Sequence, residues 1–224
     1  MSRLSIVFLC VLLLGLIQAA GQGVDVEDLP PGQDLCLKTL DRLALRHEGF
    51  QTLKARFVST LRAPALDQRE REEGSVLLAR GGYSLWEYDA PEGKRAWSDG
   101  VNSHMYLPGE HQVLVMPLEH SLPALLLLGE ADIRDVVSCD GAYELEGRIT
   151  MTLALKRRDP SIRNLTVEVD TADSGVRLLS YEDALGNQIS FAFSDVRWNE
   201  PVSPDVFRIP IPENARILRQ AVDG

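Results

Sequence analysis

Ser98-Asp99-Gly100 comes nearest to a catalytic motif in this sequence, because serine and aspartate side chains act together in many hydrolases. Ser98 lacks a surrounding Gly-x-Ser-x-Gly elbow, however, and no histidine is paired with it in the sequence. An Asp-Gly pair between two apolar runs is instead a strong signal for the turn of a β-hairpin. We therefore interpret these three residues as a turn.

Histidines are the other candidates for chemistry, and the chain has four of them: His47, His104, His111 and His120. None of their spacings matches that of metal ligands such as His-x-x-x-His. The sequence also shows neither a phosphate-binding loop nor a nucleophile paired with a base. We expect a protein that is not an enzyme and that needs no metal or cofactor.

The three cysteines differ in their surroundings. Cys10 follows Phe8-Leu9 in an apolar run, whereas a lipid-attachment signal requires small residues before its cysteine, so we expect no lipid anchor there. Cys36 and Cys139 form no Cys-x-x-Cys, which argues against a redox or zinc site. In an oxidising compartment they either pair in a disulfide or remain two buried thiols, and the sequence leaves both possibilities open.

The N-terminus has the pattern of a secretory signal peptide. A short basic start, Met1-Ser2-Arg3, precedes an apolar run at residues 4–17 that is too short to cross a membrane comfortably. We predict a signal peptide over residues 1–20 and a polar tether over residues 21–34; the alternative is an uncleaved N-terminal anchor. The remaining residues 35–220 have the size of a single domain.

Composition limits the possible partners. The 224 residues carry a formal net charge of −10, which argues against binding to nucleic acid or to anionic membranes. Hydrophobic residues make up 45% of the chain and aromatic residues only 6%, so the core should be mainly aliphatic. We interpret the charged runs at residues 70–73 and 132–135 as solvated loops.

Two segments have helical patterns. Asp34 is a candidate N-cap for a helix that ends near Gly49. Residues 53–61 could continue this helix or begin a strand, and we favour a strand from Phe57. The second segment runs from Pro123 to Gly129 and is apolar on nearly every side, so it is either a core helix or a lid whose inner face lines a cavity.

Strand patterns dominate the rest. Residues 74–106 read as a meander broken at Gly81-Gly82, Pro91-Glu92-Gly93 and Asp99-Gly100, and a further strand covers residues 111–116. Apolar and polar residues alternate over 149–156, 164–170 and 188–195, as in an antiparallel sheet with one wet face. We predict a curved antiparallel sheet of about ten strands. An apolar concavity that two helices do not fill is either a void or a ligand site.

The meander resembles the periplasmic lipoprotein carriers of the LolA-like family, whose strands show Gly-x-Leu, Arg-Pro, Trp-x-Tyr, Pro, Ser-Asp-Gly and Tyr in this order. The resemblance spans about residues 35–218. Its further anchors are the residues 125–128, Asp183 with Gly186-Asn187, and Phe207 before Pro210. The family's Arg-Pro is Arg80-Gly81 here, and its Phe-x-Gln is Phe57-Val58-Ser59.

The resemblance implies a mainly β fold: a half-open antiparallel β-barrel whose helices form a lid over an apolar cavity. It also implies that Arg80 bonds the backbone of the lid helix and holds the empty cavity shut. The side chains expected to contact the ligand are Phe57, Leu78, Arg80, Trp86, Tyr106, Leu122, Leu125, Leu126, Leu153, Val167, Phe191 and Phe193.

The function implied by the resemblance is transport in the periplasm. The cavity would take the acyl chains of a lipoprotein from an inner-membrane exporter of the ABC type and pass them to an outer-membrane acceptor lipoprotein. We expect a monomer. The alternatives are an envelope assembly or sensor module and a specialised carrier of another acylated product.

Overall fold

The structure is a computed structural model that describes residues 32–118, 132–157 and 162–219. The predicted signal peptide, most of the predicted tether and the predicted helix from Pro123 to Gly129 lie outside these residues. Leu122, Leu125 and Leu126 therefore also lie outside them. Of the helices in the described ranges, none has the length and apolarity needed to cross a membrane.

Helix α1 spans Gln33–Glu48, which confirms the predicted helix near the N-terminus of the domain. Asp34 is not its N-cap, however: Gly32 occupies that position, and Asp34 lies in the first turn and pairs with Lys38 at 2.7 Å. An acidic residue in the first turn still stabilises the helix through its dipole. The buried face of α1 consists of Cys36, Thr39, Leu40, Leu43, Ala44 and His47.

Strand β1 spans Thr52–Ala63 and begins five residues before the predicted start at Phe57. Leu53, Ala55 and Phe57 are buried and alternate with half-buried neighbours, which is the period of a strand and not of a helix. Both neighbours of β1 in the sheet pair with it from its first residues, so cross-strand bonding selects the strand. The prediction left residues 53–56 undecided between helix and strand, and the structure shows that they belong to the strand.

Eleven further strands and one short α-helix follow in the described chain, besides two 3-10 helices at Pro64–Leu66 and Pro204–Phe207. In chain order they are β2 (Gln68–Ala79), β3 (Tyr83–Tyr88), β4 (Arg95–Asp99), β5 (Asn102–Leu107), β6 (Gln112–Pro117), α2 (Ile133–Val136), β7 (Val137–Leu145), β8 (Arg148–Leu155), β9 (Ile162–Asp170), β10 (Val176–Asp183), β11 (Gln188–Trp198) and β12 (Arg216–Arg219). The first two predicted breaks in the meander fall between these strands, and the third, Asp99-Gly100, begins at the last residue of β4. The alternating segments predicted in the C-terminal half correspond to β8, β9 and β11.

The two charged runs are not loops. Residues 70–73 belong to β2 and pair with β1, from Glu70 opposite Leu61 to Glu73 opposite Val58. Their backbone is bonded while their side chains remain largely outside the core, so charge did not prevent a strand here. Asp132 caps α2 by accepting a hydrogen bond from the Arg134 backbone N–H.

The strands form a single sheet in the order β12-β6-β5-β4-β3-β2-β1-β11-β10-β9-β8-β7. Neighbours are antiparallel except β12, which runs parallel to β6. Strands β7 and β12 do not pair with each other, so the sheet is open, as the predicted half-open barrel requires.

The sheet buries residues on both faces. We call the face that packs against α1 the inner face; its cluster includes Phe57, Leu78 and Met151 together with Leu40 and Leu43 of the helix. The opposite, outer face carries a smaller cluster that is covered by residues 202–211: Leu85, Trp97, Val113, Val115 and Phe207. Helix α1 thus covers one face, and a C-terminal segment covers part of the other.

A disulfide joins Cys36 of α1 to Cys139 of β7, with a Cα–Cα distance of 5.9 Å. Its half-cystines are 103 residues apart in the sequence. Because α1 packs chiefly on β7, the bond ties the helix to an edge strand of the sheet.

Candidate functional site

The centre of the inner face is a cluster of aromatic rings. The Phe57 ring meets those of Trp86 and Tyr88 edge-on, with centroid separations of 5.0 and 5.2 Å. Trp86 also lies 5.7 Å from Phe191 and 6.3 Å from Phe193. Four side chains that the sequence analysis assigned to a ligand site are therefore brought together, although they come from three strands that are distant in the chain.

Strand register explains this cluster. In β1, Phe57 lies opposite Gly74 of β2 on one side and Phe193 of β11 on the other. A Cβ atom at position 74 would lie only 2.7 Å from the Phe57 ring and would overlap the Glu87 carbonyl oxygen. Glycine at this position is what lets the ring lie flat on β2.

Other predicted ligand residues lie in the part of the inner face that the chain itself fills. Leu78, Leu153 and Val167 are almost fully buried in the inner cluster. Leu153 lies opposite Cys139 in the β7–β8 register, next to the disulfide that holds α1. Leu153 thus packs in the core close to α1.

The other part of the inner face, over β3 to β6, is covered less completely by the described residues. Its apolar side chains are half-buried: Trp86, Tyr88, Met105, Leu114 and Met116. Met105 and Leu114 lie opposite each other in the β5–β6 register, so this surface is continuous across the two strands. On the inner face, this part of the described surface could accept a ligand without unfolding the core.

Tyr106 does not belong to this surface, and its assignment to the inner site is wrong. It lies opposite Arg95 in the β4–β5 register and packs against the outer cluster. Its hydroxyl is 3.1 Å from Nδ1 of His111. Side chains alternate between the faces of a sheet, so the one-residue difference between Met105 and Tyr106 decides the face.

Arg80 follows the last residue of β2, and its Nη1 donates a hydrogen bond to the Glu48 carbonyl of α1 at 3.1 Å. Its backbone N–H donates to the carbonyl of Gln51 at 2.9 Å. The carbonyls of the last helical turn lack intrahelical partners, so a guanidinium there satisfies one of them and complements the helix dipole.

Sequence reasoning missed two residues that also hold this end of α1. The Asn199 side chain accepts from the Gln51 N–H at 2.8 Å and donates to the Gly49 carbonyl at 3.0 Å. The Arg46 guanidinium stacks over the Trp198 ring at 3.9 Å and donates to the Asp173 carbonyl. An asparagine directly after an alternating strand was the one available signal, because Asn adopts the left-handed backbone that position 199 shows.

His47 lies on the buried side of the same helical turn, with 7% of its surface exposed. Burial, together with the charge of Arg46, lowers the pKa of His47, and the Asp132 carboxylate only partly opposes this shift. Its Nδ1 is buried and has no hydrogen-bond partner among the described residues. Protonation would therefore place a charge in a buried site, on a ring whose Nδ1 has no described hydrogen-bond partner.

The structure gives Ser98 a structural role. Its hydroxyl is buried, lies 2.9 Å from the Ser84 hydroxyl and donates to the Gly82 carbonyl. Asp99 accepts from the backbone N–H groups of Val101 and Asn102, which confirms the predicted turn. Within residues 32–118, 132–157 and 162–219, no group of three His, Cys, Asp or Glu side chains is arranged to hold a metal ion.

The described chain is thus an open sheet with helix α1 across its inner face. The family model for outer membrane lipoprotein carrier protein LolA matches residues 48–210. The chain therefore belongs to the LolA family of outer-membrane lipoprotein carriers.

Individual relatives agree with this assignment. The outer-membrane lipoprotein carrier protein of Pseudomonas syringae pv. syringae is 28% identical over 186 residues, which cover 82% of this chain and 89% of that protein. The carrier protein of Hahella chejuensis is 27% identical over 192 residues, covering 81% and 88%. An uncharacterized conserved protein from Thermus thermophilus shares the fold, with a TM-score of 0.52 and 12% identity over 82% of this chain and 99% of that one.

Proposed function

We propose that this protein is a non-enzymatic periplasmic carrier that binds the acyl chains of lipoproteins on the inner face of its sheet. The observation that supports this most directly is the half-buried apolar surface formed by Trp86, Met105, Leu114 and Met116 in a chain of the lipoprotein carrier family. Acyl binding needs apolar area more than specific polar contacts, since each buried methylene contributes about 0.8 kcal/mol.

In this proposal an ABC-type exporter in the inner membrane loads the carrier and an outer-membrane acceptor lipoprotein unloads it. The chain acts as a monomer whose residues 35–220 form the carrier domain, behind a cleaved signal peptide at 1–20 and a tether at 21–34. Phe57, Phe191 and Phe193 contact the acyl chains together with Trp86, and Leu122, Leu125 and Leu126 are further residues proposed to contact them.

Arg80 has a gating role in this proposal. Its bond to the Glu48 carbonyl favours the state in which α1 is held against the sheet. A ligand that needs the helix released must break this bond, and the bond forms again when the acyl chains leave. Arg80 would thus oppose loading and assist unloading.

The first test is mass spectrometry of organic extracts from the protein purified out of the periplasm, which should show acyl lipid. The second is capture of a fluorescent acyl probe. Met116→Asp should reduce capture at least about tenfold, because it places a charge on the apolar surface. Leu145→Asp is the matched control, since Leu145 is 65% exposed on the β7–β8 hairpin.

Equal capture by both variants, with no lipid in the extract, would contradict acyl binding on the inner face. That outcome would favour an envelope assembly or sensor module instead. Extracted lipid of a class other than lipoprotein would identify a specialised carrier of that acylated product.

A further inference from the structure

The outer face of the sheet contains a cavity of about 550 Å³ that lies opposite the proposed acyl surface. Its floor is formed by side chains of β2 to β5, including Ala79, Tyr83 and Trp97, and residues 202–211 form its other wall. Trp97 and Trp86 point to opposite faces, since Trp97 lies opposite Leu85 and not Trp86 in the β3–β4 register. The cavity is therefore separate from the surface discussed above.

The local sequence determines the structure of the cavity wall that residues 202–211 form. Ser203 caps a short 3-10 helix, Pro204–Phe207, by accepting from the Asp205 N–H. This turn directs Phe207 onto the sheet, where its ring centroid lies 5.7 Å from that of Tyr83. On the floor, His104 stacks flat on Trp97 at 4.9 Å. Aromatic rings thus form two sides of the cavity.

The charges around the cavity favour an anion. Two arginines line it, Arg80 and Arg208, against one acidic residue, Asp99, and Nη1 of Arg80 also donates to the Glu48 carbonyl. Asp99 already accepts two backbone hydrogen bonds and lies 4.0 Å from His104 Nε2. The ion pair of Arg208 with Asp205 is highly exposed and therefore weak, so Arg208 can serve a ligand. This excess of positive charge occurs on a protein of net charge −10.

We propose that the outer cavity binds a small anionic amphiphile: a carboxylate or phosphate head on a single apolar chain. The head would bond to the guanidiniums of Arg80 and Arg208, whose planar donors match both groups. The chain would lie against Trp97 and Phe207. The volume is that of a small-molecule site. The site shares Arg80 with the proposed gate, but binding in this cavity does not require acyl transport on the inner face.

Titration calorimetry with decanoate, decyl phosphate and decanol tests the proposal. At the outer cavity both anions should bind saturably, with one molecule per cavity, and decanol should bind there at least about tenfold more weakly because it lacks the charged head. The comparison of decanoate with decyl phosphate identifies which anion is preferred. Quenching of Trp97 fluorescence, in a variant with Trp86→Phe and Trp198→Phe, reports binding at this face.

Two variants locate the site. Arg208→Gln should weaken binding of the anions about tenfold, and Ala79→Phe should abolish it by filling the cavity. Arg197→Gln, an exposed arginine on β11, is the matched control and should bind like the wild type. Quenching of Trp97 that survives both Arg208→Gln and Ala79→Phe, or that does not distinguish decanoate from decanol, would overturn the proposal. Because Arg208 is on the surface, its variant remains informative even if Ala79→Phe folds poorly.

Discussion

Arg80→Leu removes the hydrogen bond that joins the end of β2 to the last turn of α1. The bond runs from Nη1 to the Glu48 carbonyl at 3.1 Å and is exposed to solvent. A sheltered hydrogen bond to a charged group contributes about 1.5–3 kcal/mol. Exposure reduces this to about 1 kcal/mol, which is about a fivefold change in the equilibrium between the anchored and the released helix.

The direction of the effect follows from which state loses the bond. Arg80→Leu destabilises the anchored state alone, so the variant should capture a fluorescent acyl probe at least as tightly as the wild type. It should release the probe about fivefold more slowly, because the variant cannot re-form the bond that favours the empty state of the wild type. Asn199, Arg46 and the disulfide still hold the helix, so the fold should persist.

The assay loads each protein with the probe, adds lipid vesicles as acceptor and follows the loss of bound fluorescence. Arg69→Leu is the matched control, because Arg69 is an exposed arginine of the same strand. Capture and release equal to those of the wild type and of this control would refute the gating argument and would leave Arg80 as a surface residue that caps α1.

Three further predictions concern stability. Reduction of Cys36–Cys139, or a double Cys→Ser variant, should lower the free energy of unfolding by up to about 4.7 kcal/mol in the chain-entropy model, and an unchanged denaturation midpoint would contradict this. Gly74→Ala should cost about 1–3 kcal/mol through overlap with the Glu87 backbone carbonyl and the Phe57 ring, whereas Gly109→Ala, with nothing within 4 Å, should be tolerated. Burial lowers the pKa of His47, so as pH falls the unfolded chain takes up a proton at this residue before the folded protein does. The contribution of neutral His47 to the free energy of unfolding is therefore complete above about pH 6.5 and is lost as pH falls below that value. His47→Gln should remove this component from urea denaturation curves measured between about pH 7.5 and 5.5; equal pH dependence in both proteins would disprove it.

Local patterns were sufficient for most of the strands. Alternation over residues 149–156, 164–170 and 188–195 predicted β8, β9 and β11, because one buried face imposes a period of two. The turns at Gly81-Gly82 and Asp99-Gly100 were also predictable, since their glycines adopt positive φ angles that other residues avoid. In each of these cases the deciding interactions lie within a few residues of chain.

Local patterns failed where pairing with strands distant in the sequence determines the secondary structure. Residues 70–73 look like a solvated loop, but β1 provides backbone partners for all four. The early start of β1 has the same origin, since β2 and β11 pair with it on both sides. Strand β7 was not predicted at all, although it carries the half-cystine that fastens α1.

The sequence by itself determined the class of fold, the carrier-family resemblance and the apolar residues Phe57, Trp86, Phe191 and Phe193 of the inner face. Only the tertiary structure decided which face each side chain occupies, and so it moved Tyr106 to the outer cluster. It also decided which groups hold α1, since Asn199 lies about 150 residues from the backbone that it binds. The physical reason is register: residue type sets how apolar a strand is, but pairing with a distant neighbour sets where each of its side chains points.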